Sequence, residues 1–149
     1  QFVDRVGVAL GLPFPAGPHL EALARTAQDA LTLPTFARGY DVSFSGPTTA
    51  ALRLLEQGKD KGAVARAVFA CIARTLEKVL RPAVLATGIQ AVLLVGGVAG
   101  NSLLRARLRA RLEHPAVGAR LFFAPSHLST DNAVGIAWLG LTALRGKQT

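Results

Sequence analysis

Three stretches of the chain carry residue types whose spacing could hold a small ligand. Val95-Gly96-Gly97-Val98-Ala99-Gly100-Asn101 is the end of an apolar run, a glycine turn and a helix start. Glycine lets backbone N–H groups approach phosphate or ribose closely, and a helix N-terminus favours negative charge. The stretch lacks the GK[ST] of a Walker loop and does not fit GxGxxG, so a plain strand-to-helix turn is an equal reading. Asp4 and Glu21 form a second candidate, on consecutive helical segments joined by a Pro/Gly turn. Carboxylates accept hydrogen bonds from ribose hydroxyls, and Gly17 would let a base lie against the chain, although each acid read singly is a solvated first-turn residue. The third is Ser129-Thr130-Asp131-Asn132, whose short side chains would cap the next helix. The sharper alternative makes Asp131 a metal-binding carboxylate.

Other reactive side chains point less clearly to chemistry. Arg105, Arg107, Arg109 and Arg111 could follow a phosphate backbone, or flank the apolar stripe of an amphipathic helix. Cys71, between Ala70 and Ile72, reads as a small core residue, and one cysteine makes no intramolecular disulfide. His19, His114 and His127 lie too far apart for a zinc spacing.

These residues need elements to position them. Phe2, Val3, Val6, Ala9 and Leu10 recur at helical steps that stop at Gly11, and Pro18 is expected to open a second helix. Val42 to Ser45 alternates as a half-buried strand, with Gly46-Pro47 as a turn before a helix that reaches Gly58. A long helix follows from Asp60, which Pro82 would kink or end. Ala91 to Val95 reads as a strand buried on both faces, Arg120 to Phe123 as another, and helices are expected from about Asn101 and from Asp131 to Leu144. This order predicts an α/β layered architecture with a mostly parallel sheet and flanking helices.

The 149 residues are 50% hydrophobic and 17% charged, which excludes a disordered chain. The longest apolar run is about half of what crosses a bilayer, so no membrane partner is expected, and the single cysteine suits a reducing, cytoplasmic setting. The net charge of +8, mostly arginine, suits phosphate-bearing partners. With no methionine, the chain reads as a piece of a longer protein.

Four ordered segments, FVDRVGVALGLPFPAGPHLEALA (2–24), VSFSG (42–46), LLVGGVAGNSLLRARL (93–108) and FAPSHLSTDNAVGIA (123–137), resemble the tRNA threonylcarbamoyladenosine synthesis transferases, formerly called O-sialoglycoprotein endopeptidases or glycoproteases. The resemblance implies an ASKHA fold (actin-like ATPase, ribonuclease H-like), with residues 1–149 as the second, C-terminal lobe and the N-terminal lobe absent. It implies that Asp4, Gly17 and Glu21 contact the adenosine part of threonylcarbamoyl-adenylate, that Gly96, Gly97 and Asn101 contact the nucleotide, and that Asp131 ligates a divalent iron or zinc ion. The expected partners are an adenine nucleotide, tRNA and other proteins of the threonylcarbamoyladenosine machinery. The family's HxxxH metal ligands have no counterpart in this sequence, so the chain alone is expected to be inactive. Ser45-Gly46-Pro47-Thr48-Thr49-Ala50 stands where the family usually reads SGLKTA, so an expected lysine is absent, and Gln1-Phe2-Val3-Asp4 replaces AFDK, as in a divergent paralogue. The alternatives are therefore a non-catalytic nucleotide- and protein-binding module and, ranked last, a glycoprotease.

Overall fold

The structure is a computed structural model that describes residues 1–29, 31–125, 129 and 133–145. It opens with α1 (Phe2–Ala9) and α2 (Ala16–Arg25). Each buries one stripe, Phe2, Val3 and Val6 on α1 and Ala16, Leu20 and Ala24 on α2, the i, i+3, i+4 pattern of a core-facing helix. The second helix starts two residues before Pro18. A proline is tolerated there because N–H groups in a helix's first turn have no intrahelical acceptor. Where α1 crosses α2, a side chain on Gly7 would collide with the Ala16 Cβ, so a hydrogen is all that fits.

A hairpin follows, β1 (Phe36–Arg38) paired antiparallel with β2 (Asp41–Ser43), with Phe36 opposite Ser43 and Arg38 opposite Asp41. The chain reverses through Gly39 at a φ of 58°, a left-handed angle that glycine takes without strain. The expected strand over 42–45 is thus shortened. Gly46 and Pro47 do not form a turn but lie in the first turn of α3 (Ser45–Glu56), where the missing proline N–H costs nothing.

The centre of the fold is α4 (Lys61–Thr87), 27 residues long, against which α2, α3 and α5 pack. Asp60 caps it by accepting the Ala63 N–H at 2.7 Å, and Gly88, left-handed at φ 69°, closes it. Pro82 does not end it; the helix runs five residues further. Val64, Val68 and Phe69 are almost wholly removed from water, as are Leu104, Leu108 and Leu112 of α5 (Ser102–Leu112). Each such side chain contributes about 1.5–3 kcal/mol of hydrophobic free energy.

The helix α5 is the crossover between two parallel strands, β3 (Ala91–Leu94) and β4 (Arg120–Phe123), in register from Ala91 with Arg120 to Leu94 with Phe123. Both strands end toward one rim, where ligands of parallel α/β sheets sit. The expectation of two buried faces is corrected: Leu93 is 67% exposed and Val95 63%, because helices cover only the other face among the described residues. The fold is α/β: among the described residues β3 and β4 form a small parallel sheet flanked by helices, and β1–β2 is a separate antiparallel hairpin. A last helix, α6, spans Ala133–Arg145.

Candidate functional site

At the rim of β3, the chain turns through Gly96 (φ 102°) into a 3₁₀ turn over Gly97–Gly100 and then into α5. The start of α1 and the first turn of α2 lie opposite. Between them is a cavity of about 390 Å³, the size of a small-ligand pocket. Asp4, Gly17, Glu21, Gly97 and Asn101 all line it, with Val3, Pro18, Phe69 and Val98 as apolar walls. A Cβ on Gly17 or Gly97 would point into open space, so bare backbone faces the void at both positions. Gly96 is not part of the lining; its positive φ makes the turn that brings Gly97 there.

Both carboxylates are held by helix ends. Asp4 Oδ1 accepts the Ala16 N–H at 3.2 Å, one of the unpaired donors at the start of α2. Glu21 Oε1 accepts from Ser102 Oγ, from the Ser102 N–H at 3.1 Å and from Arg25 at 3.0 Å. Burial pulls the Glu21 carboxyl up, but the Ser102 hydroxyl, Arg25 and the Ser102 N–H together outweigh it and hold the group below its ordinary 4.5. Glu21 is therefore an anion at neutral pH.

This geometry changes the chemistry expected of the glycine turn. The N–H of Ser102, first in α5, already serves Glu21, and the N–H of Leu104 serves Asn101 Oδ1 at 2.8 Å. At these two positions a phosphate would meet occupied donors and, at Ser102, a neighbouring carboxylate. Among the described residues no lysine or arginine lines the cavity. The site is suited to a ligand part rich in hydroxyl donors with a flat apolar surface, such as a nucleoside.

Asn101 supplies the complementary donor. Its Oδ1 must face the Leu104 N–H, because only the oxygen accepts, and this fixes the amide's orientation. Its Nδ2 is then buried with no hydrogen-bond partner among the described residues, in a side chain 4% exposed at the cavity wall. A buried amide donor without an acceptor costs about 1–3 kcal/mol, and a bound acceptor would recover that cost.

Other sequence candidates fall elsewhere. Asp131 and His127 lie outside the described residues. Among the described residues no group of three or more His, Cys, Asp or Glu could hold a metal. The α5 arginines do not form a free phosphate-tracking row. Arg107 and Arg111 pair with Glu77, and Arg109 pairs with Glu113 at 2.8 Å. Arg105 donates to the Ala99 carbonyl at 2.6 Å and to the Ala124 carbonyl at 3.1 Å, with Phe123 under its guanidinium. It ties the glycine turn to the end of β4, a role the sequence did not signal because both acceptors are backbone. Cys71 is a core residue: burial pushes its thiol up, and its Sγ faces the Pro34 carbonyl. A larger groove of about 490 Å³ lies between α3 and residues 32–33, but it holds no carboxylate and none of the candidates.

A family model described as tRNA N6-adenosine threonylcarbamoyltransferase matches residues 1–138. The chain belongs to this family. A family member from Thermus thermophilus is 39% identical over 137 residues, covering 90% of this chain and 41% of that protein. One from Archaeoglobus fulgidus is 37% identical over 148 residues, covering 99% of this chain and 45% of its own length. Both are named tRNA N6-adenosine threonylcarbamoyltransferase, and the chain spans less than half of either. Among solved structures, HypF from T. kodakarensis superposes on 85% of this chain and 16% of its own with a TM-score of 0.63 at 25% identity. No helix among the described residues is long and apolar enough to cross a membrane.

Proposed function

We propose that this chain forms the nucleoside-holding part of a transferase that modifies adenosine in tRNA, with the adenosine of threonylcarbamoyl-adenylate seated in the cavity between α1–α2 and the Gly97–Asn101 turn. The observation that carries this reading is a cavity lined by Asp4, Glu21 and Asn101, the last with its Nδ2 buried and without a partner among the described residues. Asp4 and Glu21 accept the ribose hydroxyls. Asn101 donates to an acceptor of the nucleoside, and Val98, Pro18 and Phe69 exclude water from the base. Gly17 and Gly97 leave room for its flat face. The adenylate phosphate then points out of this cavity, toward the rim where the threonylcarbamoyl group meets the exocyclic amine of the tRNA adenosine and AMP departs.

In this reading the chain is the second lobe of an ASKHA protein. Asp131 supplies one ligand to an iron or zinc ion, whose contribution when bound is to polarise the electrophile. The remaining ligands, the tRNA and the partner proteins of the machinery meet the chain at other surfaces. The isolated chain binds nucleoside but transfers nothing.

Calorimetric titration of the chain with adenosine, AMP and inorganic phosphate tests this. Adenosine should bind within a few-fold of AMP, phosphate should not compete, and affinity should fall only in acid beneath the ordinary carboxylate range, as Glu21 takes up a proton. Binding of phosphate with no binding of adenosine would remove the reading.

A further inference from the structure

A second charged surface lies on the outer side of α4, away from the cavity. Arg66, Arg74, Lys78 and Arg81 follow one another at steps of eight, four and three residues, which aligns them on one face of the helix over roughly 22 Å. None takes part in an ion pair among the described residues; the only α4 acid so paired, Glu77, is engaged by α5. Their recorded partners are neutral: Arg66 reaches the Ala27 carbonyl at 3.3 Å, Arg74 the Leu33 carbonyl at 2.9 Å and Lys78 the Thr35 hydroxyl at 2.7 Å. The positive charge of this face is therefore uncompensated.

The Lys78 bond places that charge one residue from the β1–β2 hairpin, which exposes aromatic surface. Phe36 is 52% exposed and Tyr40, at the tip, 63%. Arg38 shares the solvent side of β1 with Phe36, two residues on, and makes no ion pair with Asp41 across the strand. Uncompensated cations next to exposed rings are what unpaired RNA requires: phosphates meet the cations, and splayed bases stack on the rings.

We propose that the outer face of α4 and the β1–β2 hairpin form a docking surface for single-stranded or loop segments of RNA, with Lys78, Arg81 and Arg38 on phosphates and Phe36 and Tyr40 under bases. This rests on the reading of the chain as part of a tRNA-modifying protein and assigns the surface that takes the tRNA.

The test is fluorescence anisotropy of an unmodified tRNA transcript against the full chain at several salt concentrations. The Arg38→Gln/Arg81→Gln double variant removes side chains that hold no described element together. It should bind about tenfold more weakly, with the slope of log affinity against log salt reduced by about 1.4. Tyr40→Ala should lose about tenfold with the slope unchanged, and Tyr40→Trp should restore it. Variants that keep the parent's circular dichroism and bind tRNA as the parent does would overturn the proposal. So would a parent that binds no tRNA, or polyglutamate competing as well as RNA. Adenosine titrations of the same variants separate the two readings: unchanged adenosine binding with insensitive tRNA binding sinks only this surface, and the reverse pattern sinks only the cavity.

Discussion

Replacing Asn101 with aspartate should leave the chain folded and lower its adenosine affinity by about thirtyfold. The substitution preserves shape and the oxygen that caps α5 through the Leu104 N–H, and an anion at a helix N-terminus is favoured. Stability should stay within about 1 kcal/mol of the parent, the dipole offsetting the cost of burying a carboxylate. The change at the cavity is of opposite sign. A buried donor without a partner among the described residues becomes an acceptor, set against a ligand atom that also accepts. Losing such a bond and leaving repulsion in its place costs about 2 kcal/mol, the origin of the thirtyfold figure. Asn101→Ala is less informative, since it also removes the cap at about 1 kcal/mol. An Asn101→Asp chain with parental melting and parental adenosine affinity would show that the amide faces no ligand.

The second large effect concerns stability. Gly7→Val should destabilise the chain by about 3 kcal/mol, because its Cβ falls on Ala16, a residue 1% exposed at the α1–α2 crossing. Gly7→Ala gives a cleaner test of sign. Helix propensity alone predicts a gain of about 1 kcal/mol, whereas the collision predicts a net loss. Urea denaturation should find the loss, and Gly7→Ala combined with Ala16→Gly should recover much of it. Because Asp4 is held by the Ala16 N–H, driving the helices apart should also weaken adenosine binding. A stabilised Gly7→Ala chain would mean that the two helices do not meet as described.

The packed helices were legible because they carry a core stripe at regular steps: Leu20 and Ala24, Val64 and Val68, Leu104 to Leu112. The hairpin was half legible. Phe36-Ala37-Arg38 is three residues long, does not alternate, and pairs only with its neighbour, so nothing local marks it as a strand. The run Ala91 to Val95 was identified as a strand, but an apolar run does not say which faces are covered, and Leu93 and Val95 turned out exposed. Prolines misled in a consistent way. Pro18 and Pro47 sit inside first turns, not at helix starts, and Pro82 lies within α4, which continues to Thr87.

For the site, resemblance singled out Asp4, Gly17, Glu21, Gly97 and Asn101, and the structure brings them to one cavity. Local chemistry alone left the glycine turn open between phosphate, ribose and a plain turn, because sequence cannot show that Glu21, some eighty positions away, occupies the Ser102 N–H. Phe69 was invisible as a wall residue, since it looks like any other core position of α4. The charge of the α5 arginines was equally ambiguous until Glu77 and Glu113 were seen to neutralise it.

The most direct measurement follows the side-chain amide signals of Asn101 by ¹⁵N NMR while adenosine is added. A ligand that accepts from Nδ2 should shift those signals strongly, with the Gly17 and Gly97 backbone amides moving alongside. Adenosine that leaves them unmoved, or perturbs instead the groove around Thr49 and Arg53, would contradict the account.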